Sequence, residues 1–246
     1  MKADPPVQRR LLDLQAIDTT LAQLAHRRRS LPERAELEAL ARELSGLEDQ
    51  RVRAQVAVDD LDRDIARLEK DVDQVRLRKN KDEARLAAGT GPARELEALQ
   101  HELVSLNRRQ NELEDAELEL MEQRETAQGA LDGIEGRLAE ARQKRDATER
   151  QRDEKLAEIA KEEEFKRSAR QPLAADLPAE LISLYDKIRE NSGGLGAALL
   201  TGGRCGGCRL DLSGADRARI RAAAPDEVVR CEECRRIMVR TNESGL

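Results

Sequence analysis

The apolar residues of this chain recur at alternating intervals of three and four over long distances. Leu37, Leu40, Leu44, Leu47, Ala54, Val58, Leu61, Ile65, Leu68, Val72 and Val75 form one such stripe, interrupted at Arg51. A repeat of 3.5 residues keeps one seam of a helix turned toward a partner, so the stripe predicts a coiled coil. A shorter stripe, Leu11, Leu14, Ile17, Leu21 and Leu24, precedes it. Between the two, Ser30-Leu31-Pro32-Glu33 predicts a helix restart with Ser30 as N-cap and Pro32 in the first turn.

The pattern stops at Gly89-Thr90-Gly91-Pro92, where two glycines and a proline end one helix and begin another. It resumes as Leu96, Leu99, Leu103, Leu106, Leu113, Leu120, Ala127, Leu131, Ile134, Leu138 and Ala141. Gln110, Glu117 and Arg124 occupy seam positions in this second arm, which is expected to be looser in its middle. Two arms joined by a four-residue turn pair antiparallel within one chain. That pairing places Leu61 near Leu120. Each arm of about 80 residues would be roughly 120 Å long. The competing arrangement is an intermolecular homodimer in which the turn is only a kink. It is less favoured because Gly-Thr-Gly-Pro breaks helix geometry twice.

Pro172 and Pro178 mark the end of the second arm, and Leu181, Leu184, Tyr185 and Ile188 then predict a short amphipathic helix. Antiparallel geometry returns this helix to the start of the chain, where it is expected to pack on Leu11 to Leu24, with Tyr185 as a packing residue. Ser192-Gly193-Gly194-Leu195-Gly196 separates it from a region of short apolar runs flanked by Gly and Cys. The predicted fold is therefore mostly α. A long antiparallel coiled-coil hairpin spans 1–171 with its turn at 89–92, a linking helix spans 172–192, and a small C-terminal ribbon spans 193–246.

Composition reinforces this class. Charged residues make up 38% of the chain, with one Phe, one Tyr and no Trp, so the aromatic area that fills an ordinary core is missing. The net charge of -6 comes from interspersed signs and gives no general attraction for nucleic acid. No apolar run approaches the roughly 18–20 residues that span a bilayer, so no membrane association is expected. Met1 to Pro6 lacks the apolar core of a signal peptide, and a cytoplasmic location is expected. In that compartment paired cysteines point to metal before disulfide.

All four cysteines lie near the C-terminus, as Cys205-Gly206-Gly207-Cys208 and Cys231-Glu232-Glu233-Cys234. Two C-x-x-C turns brought together supply four thiolates at tetrahedral positions, which is the donor set of one structural Zn2+. Gly206 and Gly207 suit a turn that needs positive φ. Arg209, Arg235 and Arg236 follow the cysteine pairs, where they would offset the charge of a tetrathiolate site. Ala198-Leu200 and Leu210-Leu212 are expected as strands around the first pair, Val228-Arg230 and Ile237-Val239 around the second, with Ala215 to Ala224 as connector. Such a module has little apolar area of its own, so zinc is expected to supply much of its stability. A catalytic zinc keeps an open position, whereas four cysteines fill the shell. A redox pair would need a βαβ context. His26 and His101 fall within the coil as surface positions.

These residues resemble the bacterial zinc-ribbon proteins that carry an N-terminal coiled-coil hairpin. The resemblance rests on Cys205-Gly-Gly-Cys208-Arg-Leu-Asp-Leu212, on Cys231-Glu-Glu-Cys234-Arg-Arg236-Ile237-Met238, and on Arg94-Glu95-Leu96-Glu97-Ala98-Leu99 past the turn. Two departures are visible: Arg235 stands where Gly is frequent, and Ser213 follows Leu212 where Pro is common. The resemblance implies the architecture above. Within that family it also implies regulatory roles, including a flagellar sigma-factor chaperone that binds flagellin messenger RNA and a chlamydial relative linked to the same sigma factor and to secretion components.

The expected function is that of a non-enzymatic adaptor or chaperone-like scaffold for an unidentified protein partner. The alternative is an RNA- or DNA-binding regulator acting through Arg217, Arg219, Arg221 and Arg230 of the ribbon. Residues 201–246 hold nine Arg and seven acidic residues, an excess of two that a tetrathiolate zinc site would cancel. They also lack an aromatic on which a base would stack.

Overall fold

A computed structural model describes all 246 residues. The elements are α1 (Pro5–Arg29), α2 (Pro32–Ala88), α3 (Ala93–Ala175), α4 (Ala179–Asn191), β1 (Ala197–Thr201), β2 (Arg204–Cys205), α5 (Gly214–Ala222), β3 (Val229–Arg230) and β4 (Ile237–Val239). They divide into two units, Ala35–Glu149 on one side and Met1–Arg34 with Arg150–Leu246 on the other. No helix is long and apolar enough to cross a membrane.

The unit Ala35–Glu149 is an antiparallel coiled-coil hairpin. Leu44 and Leu47 of α2 are buried against Leu138 and Ala141 of α3, with Ile134 beside them. Ion pairs stitch the arms: Arg142 to Glu48 at 3.2 Å, Arg124 to Asp62 at 3.0 Å, Arg76 to Glu114 at 2.7 Å and Arg78 to Glu102 at 2.8 Å. The residue numbers of these partners sum to between 180 and 190, close to the 180 expected from a turn at 89–92. Two of the three polar seam residues find partners across the hairpin. Gln110 accepts from Lys79 at 3.3 Å, and Arg124 pairs with Asp62. The polar seam continues at Asp82, whose side chain is 1% exposed and held on one oxygen by Arg78 at 3.0 Å.

In the other unit, the break between α1 and α2 differs from expectation. Ser30 closes α1 instead of opening α2: its backbone N–H and its hydroxyl both donate to the carbonyl of His26 at 3.0 Å. The gap is only two residues, so the last carbonyls of α1 claim the serine first, and Pro32 needs no donor of its own at the start of α2. Leu24, Leu31 and Ile159 bury the joint. The amphipathic helix α4 packs as expected, its Leu181, Tyr185 and Ile188 joining Leu11 and Leu14 of α1 in one core.

The ribbon is a four-stranded sheet in the order β2-β1-β4-β3, with β1 and β4 parallel and the other pairs antiparallel. The alternation along β4 gives it two buried faces. Ile237 and Val239 join the core with α1 and α4, whereas Met238 joins Leu200, Leu212, Ile220, Cys205 and Cys231. The ribbon therefore does not rest on metal alone. Each fully buried aliphatic side chain is worth about 1.5–3 kcal/mol against exposure. Leu210-Leu212 forms no strand. Only an isolated bridge between Arg204 and Asp211 is present there, because β1 takes Arg204–Cys205 as its antiparallel neighbour. The connector is the helix α5, capped by Ser213, whose hydroxyl accepts from the N–H of Asp216 at 3.1 Å. Arg240 orders the chain beyond α5 by donating to the carbonyls of Ile220, Ala223, Ala224, Pro225 and Glu227.

Candidate metal centre

The end of β2 and the loop after β3 each present a C-x-x-C turn, and the strand pairing of β1 with β4 brings the turns together. The four sulfurs of Cys205, Cys208, Cys231 and Cys234 lie within 4.8 Å of one another. Cys205 Sγ is 3.8 Å from Cys234 Sγ, and Cys208 Sγ is 3.8 Å from Cys231 Sγ. A tetrahedron with metal–sulfur bonds of about 2.3 Å has edges of roughly 3.8 Å, so the spacing fits one zinc with all positions filled by protein. Disulfides are excluded at these distances, since a bond needs about 2.05 Å. The chain's cofactor is one structural zinc.

The two turns are built alike. Cys205 N–H donates to the carbonyl of Leu210 at 3.0 Å, and Cys231 N–H donates to that of Arg236 at 3.0 Å. The N–H of Arg209 donates to Cys205 O at 2.8 Å, and that of Arg235 to Cys231 O at 2.9 Å. Arg209 and Arg235, the residues after each cysteine pair, both adopt left-handed backbone, with φ of 63° and 62°. Gly206 and Gly207 do not have positive φ; they are needed for close approach. A Cβ on Gly206 would stand 2.6 Å from the carbonyl oxygen of Leu199, and one on Gly207 would stand 2.6 Å from Cδ of Arg236.

The sulfurs are electrostatically unlike. Burial pushes the Cys205 and Cys231 thiols above their ordinary range, against N–H groups of the turns that favour the thiolate. Burial acts on Cys234 too, but the backbone and side chain of Arg236 and the neighbouring thiols outweigh it, bringing Cys234 down to about 7. A cation that binds here must displace protons from the buried Cys205 and Cys231 thiols.

Of the three arginines expected to balance the site, Arg236 is half-buried and donates to the carbonyls of Leu195 at 3.1 Å and Ser192 at 2.6 Å. Arg209 and Arg235 are exposed, and Arg235 reaches Glu232 at 3.3 Å. Among the arginines considered for nucleic acid, Arg217 donates to Leu212 O and Arg230 to Arg235 O, while Arg219 pairs with Asp216 and Glu232. Arg221 is exposed. Three of the four thus have partners within the ribbon.

A second polar cluster anchors the ribbon to the helices. Gln15 Oε1 accepts from the N–H of Gly196 at 2.7 Å and of Ala197 at 3.3 Å, and its Nε2 donates to Gly194 O. Asp18, 1% exposed at the side chain, accepts from Tyr185 OH at 2.8 Å and from Arg170 at 2.7 Å. Burial and then the Asp18 carboxylate raise the Tyr185 hydroxyl far above its ordinary range, so it stays protonated. Polar residues at 15 and 18 inside the apolar stripe Leu11-Leu14-Ile17 were the available signal for this cluster.

A closed four-thiolate site on a ribbon whose sheet packs against two helices defines a zinc-ribbon protein with a coiled-coil hairpin. Residues 14–193 match the CT398-like coiled coil hairpin domain, and residues 204–238 match the C4-type zinc ribbon domain. The chain belongs to the CT398-like coiled-coil hairpin family. An uncharacterized protein of Mycobacterium tuberculosis is 41% identical over 240 residues, covering 98% of both chains. A solved structure from Mycobacterium smegmatis is similar with a TM-score of 0.85 and 36% identity, over 98% of this chain and 100% of that one. CT398 from Chlamydia trachomatis shares the fold at a TM-score of 0.65 and 22% identity, over 95% of this chain and 97% of its own.

Proposed function

We propose that the protein is a non-enzymatic adaptor, combining a zinc-fixed ribbon with a helical hairpin, that binds a protein partner in the cytoplasm. The observation that carries this reading is the closed metal shell. Four sulfurs at tetrahedral spacing leave no position for a substrate or an activated water. The hairpin adds exposed apolar side chains to a charged surface, among them Leu77 and Val104 at 70% exposure. The nucleic-acid alternative has less support, because Arg217, Arg219 and Arg230 are already engaged by carbonyls and carboxylates of the ribbon.

The test is affinity purification of the tagged protein from its host, with and without nuclease, followed by mass spectrometry and RNA sequencing. A specific protein retained after nuclease treatment is expected. RNA enrichment lost together with every protein after nuclease would overturn the adaptor reading.

A further inference from the structure

The two cysteine turns are equivalent in backbone hydrogen bonding and in the left-handed residue that follows each pair, yet they are used differently. In the second turn the residue two past the last cysteine is Arg236, and it is spent on this chain's own carbonyls at Ser192 and Leu195. In the first turn the equivalent residue is Leu210, which is 52% exposed. Its neighbour Arg209 is exposed and its guanidinium makes no ion pair or side-chain hydrogen bond.

Holding an arginine in left-handed backbone costs about 1 kcal/mol that glycine would avoid. Strain of this kind, kept where the smaller residue would serve the turn better, points to a use for the side chain. An apolar side chain beside an unpaired guanidinium also suits a protein better than a phosphate backbone, which would gain nothing from Leu210.

We infer that the first cysteine turn is the docking face for a protein partner. Leu210 enters an apolar depression of that partner, and Arg209 pairs with a carboxylate beside it. The second turn spends Arg235 on Glu232 and Arg236 on the carbonyls of Ser192 and Leu195, and so fixes the orientation of the first. This inference rests on the adaptor reading, and it names the surface and the chemistry of the partner segment.

The test uses the full-length protein in its host with a photo-crosslinkable benzophenone amino acid in place of Leu210, and the same probe at Leu118, 60% exposed on the hairpin, as a second position. The expected result is a protein adduct at 210 whose cross-linked peptide carries Asp or Glu within a few residues of an aliphatic residue. Arg209→Glu should lower its yield at least tenfold, and reversing the partner's acid to Lys should restore it. Zinc content measured in the Arg209→Glu protein shows that the site still folds. Should that variant lose zinc, Leu210→Ser with the probe at 209 gives the same readout. Adducts at 118 alone would overturn this face while leaving the adaptor reading intact. Adducts joining two copies of the chain at 210, or an unchanged yield in Arg209→Glu, would overturn the acidic partner. Nuclease-sensitive RNA adducts alone, or none at either position, would overturn both readings.

Discussion

Arg236 reaches from the second cysteine turn to the carbonyl oxygen of Ser192, 2.6 Å away at the C-terminal end of α4. The final carbonyls of a helix carry partial negative charge and lack intrahelical donors, so a guanidinium is well matched to them. Its route passes Gly207 of the first turn, where any Cβ would meet the arginine. One side chain thus touches both halves of the metal site and the helix beneath it, and it turns the metal's rigidity into a fixed orientation of the ribbon.

Replacing Arg236 with Ala leaves these carbonyls without their donor, at about 1–3 kcal/mol for the buried group. Gly207→Ala should act on the same contact by displacing the arginine. In both variants hydrogen exchange at 192–197 is expected to rise while exchange in α2 stays unchanged. Unaltered protection of 192–197 in Arg236→Ala would show that Gln15 alone anchors the segment.

Zinc removal should divide the ribbon along its sheet. Cys205, Cys231, Met238 and Ile220 share a core with the metal turns, whereas Ile237, Val239 and Ala197 are buried against Leu11, Leu14 and Tyr185. A strong chelator is expected to expose 203–212 and 229–236 to exchange while α1 and α4 remain protected and helical circular dichroism barely changes. Collapse of protection in α4 at the same chelator concentration would show that metal supports the helical core as well.

The seam of the hairpin and the zinc ligands were legible because each follows from a local rule, a 3.5-residue period in one case and C-x-x-C spacing in the other. The docking of the ribbon was not, because its contacts join residues about 180 positions apart, such as Gln15 with Gly196. The left-handed turn residues were hidden for a different reason. Arginine carries no signal for positive φ, and the glycines nearby drew the turn assignment to 206 and 207, where steric clearance is what they supply. Ser30 was misplaced because a serine between two helices satisfies the cap rule for either one.

Asp18 is the buried counter-charge of Arg170, and it also accepts from Tyr185. Asp18→Asn removes the most buried carboxylate facing Arg170 and Arg189 and leaves Asp186 as their only anion, and a loss of roughly 1.5–3 kcal/mol is expected. Tyr185→Phe removes one hydrogen bond and should cost only about 1 kcal/mol. Urea unfolding of the zinc-loaded protein, followed by the fluorescence of its single tyrosine for the Asp18 variant and by circular dichroism for both, ranks the two. Equal losses would contradict the assigned role of Asp18.

Asp82 sits in the hairpin seam with one carboxylate oxygen lacking any partner. A buried acceptor left unsatisfied costs about 1–3 kcal/mol, so Asp82→Leu should stabilise the hairpin. Slower exchange across 72–86 and 99–113 is the expected readout. Faster exchange would mean that the ion pair with Arg78 at 3.0 Å contributes more than the unpaired oxygen costs.

Arg209 and Arg235 provide a test in which stability and recognition move in opposite directions. Both hold left-handed backbone that glycine adopts without penalty, so Arg235→Gly and Arg209→Gly should each favour the folded turn by about 1 kcal/mol. Because the turn forms together with the metal site, that gain appears as zinc affinity, about fivefold tighter for each change in a chelator competition. Ala, which shares the steric penalty without the charge, should leave affinity near that of the parent protein. If Arg209 is kept for its guanidinium, Arg209→Gly binds zinc more tightly and yet loses the cross-link at Leu210, whereas Arg235→Gly gains affinity and keeps the cross-link. Weaker zinc binding in both glycine variants would instead mean that the arginines support the metal through their charge, and the case for a retained docking side chain would fall with it.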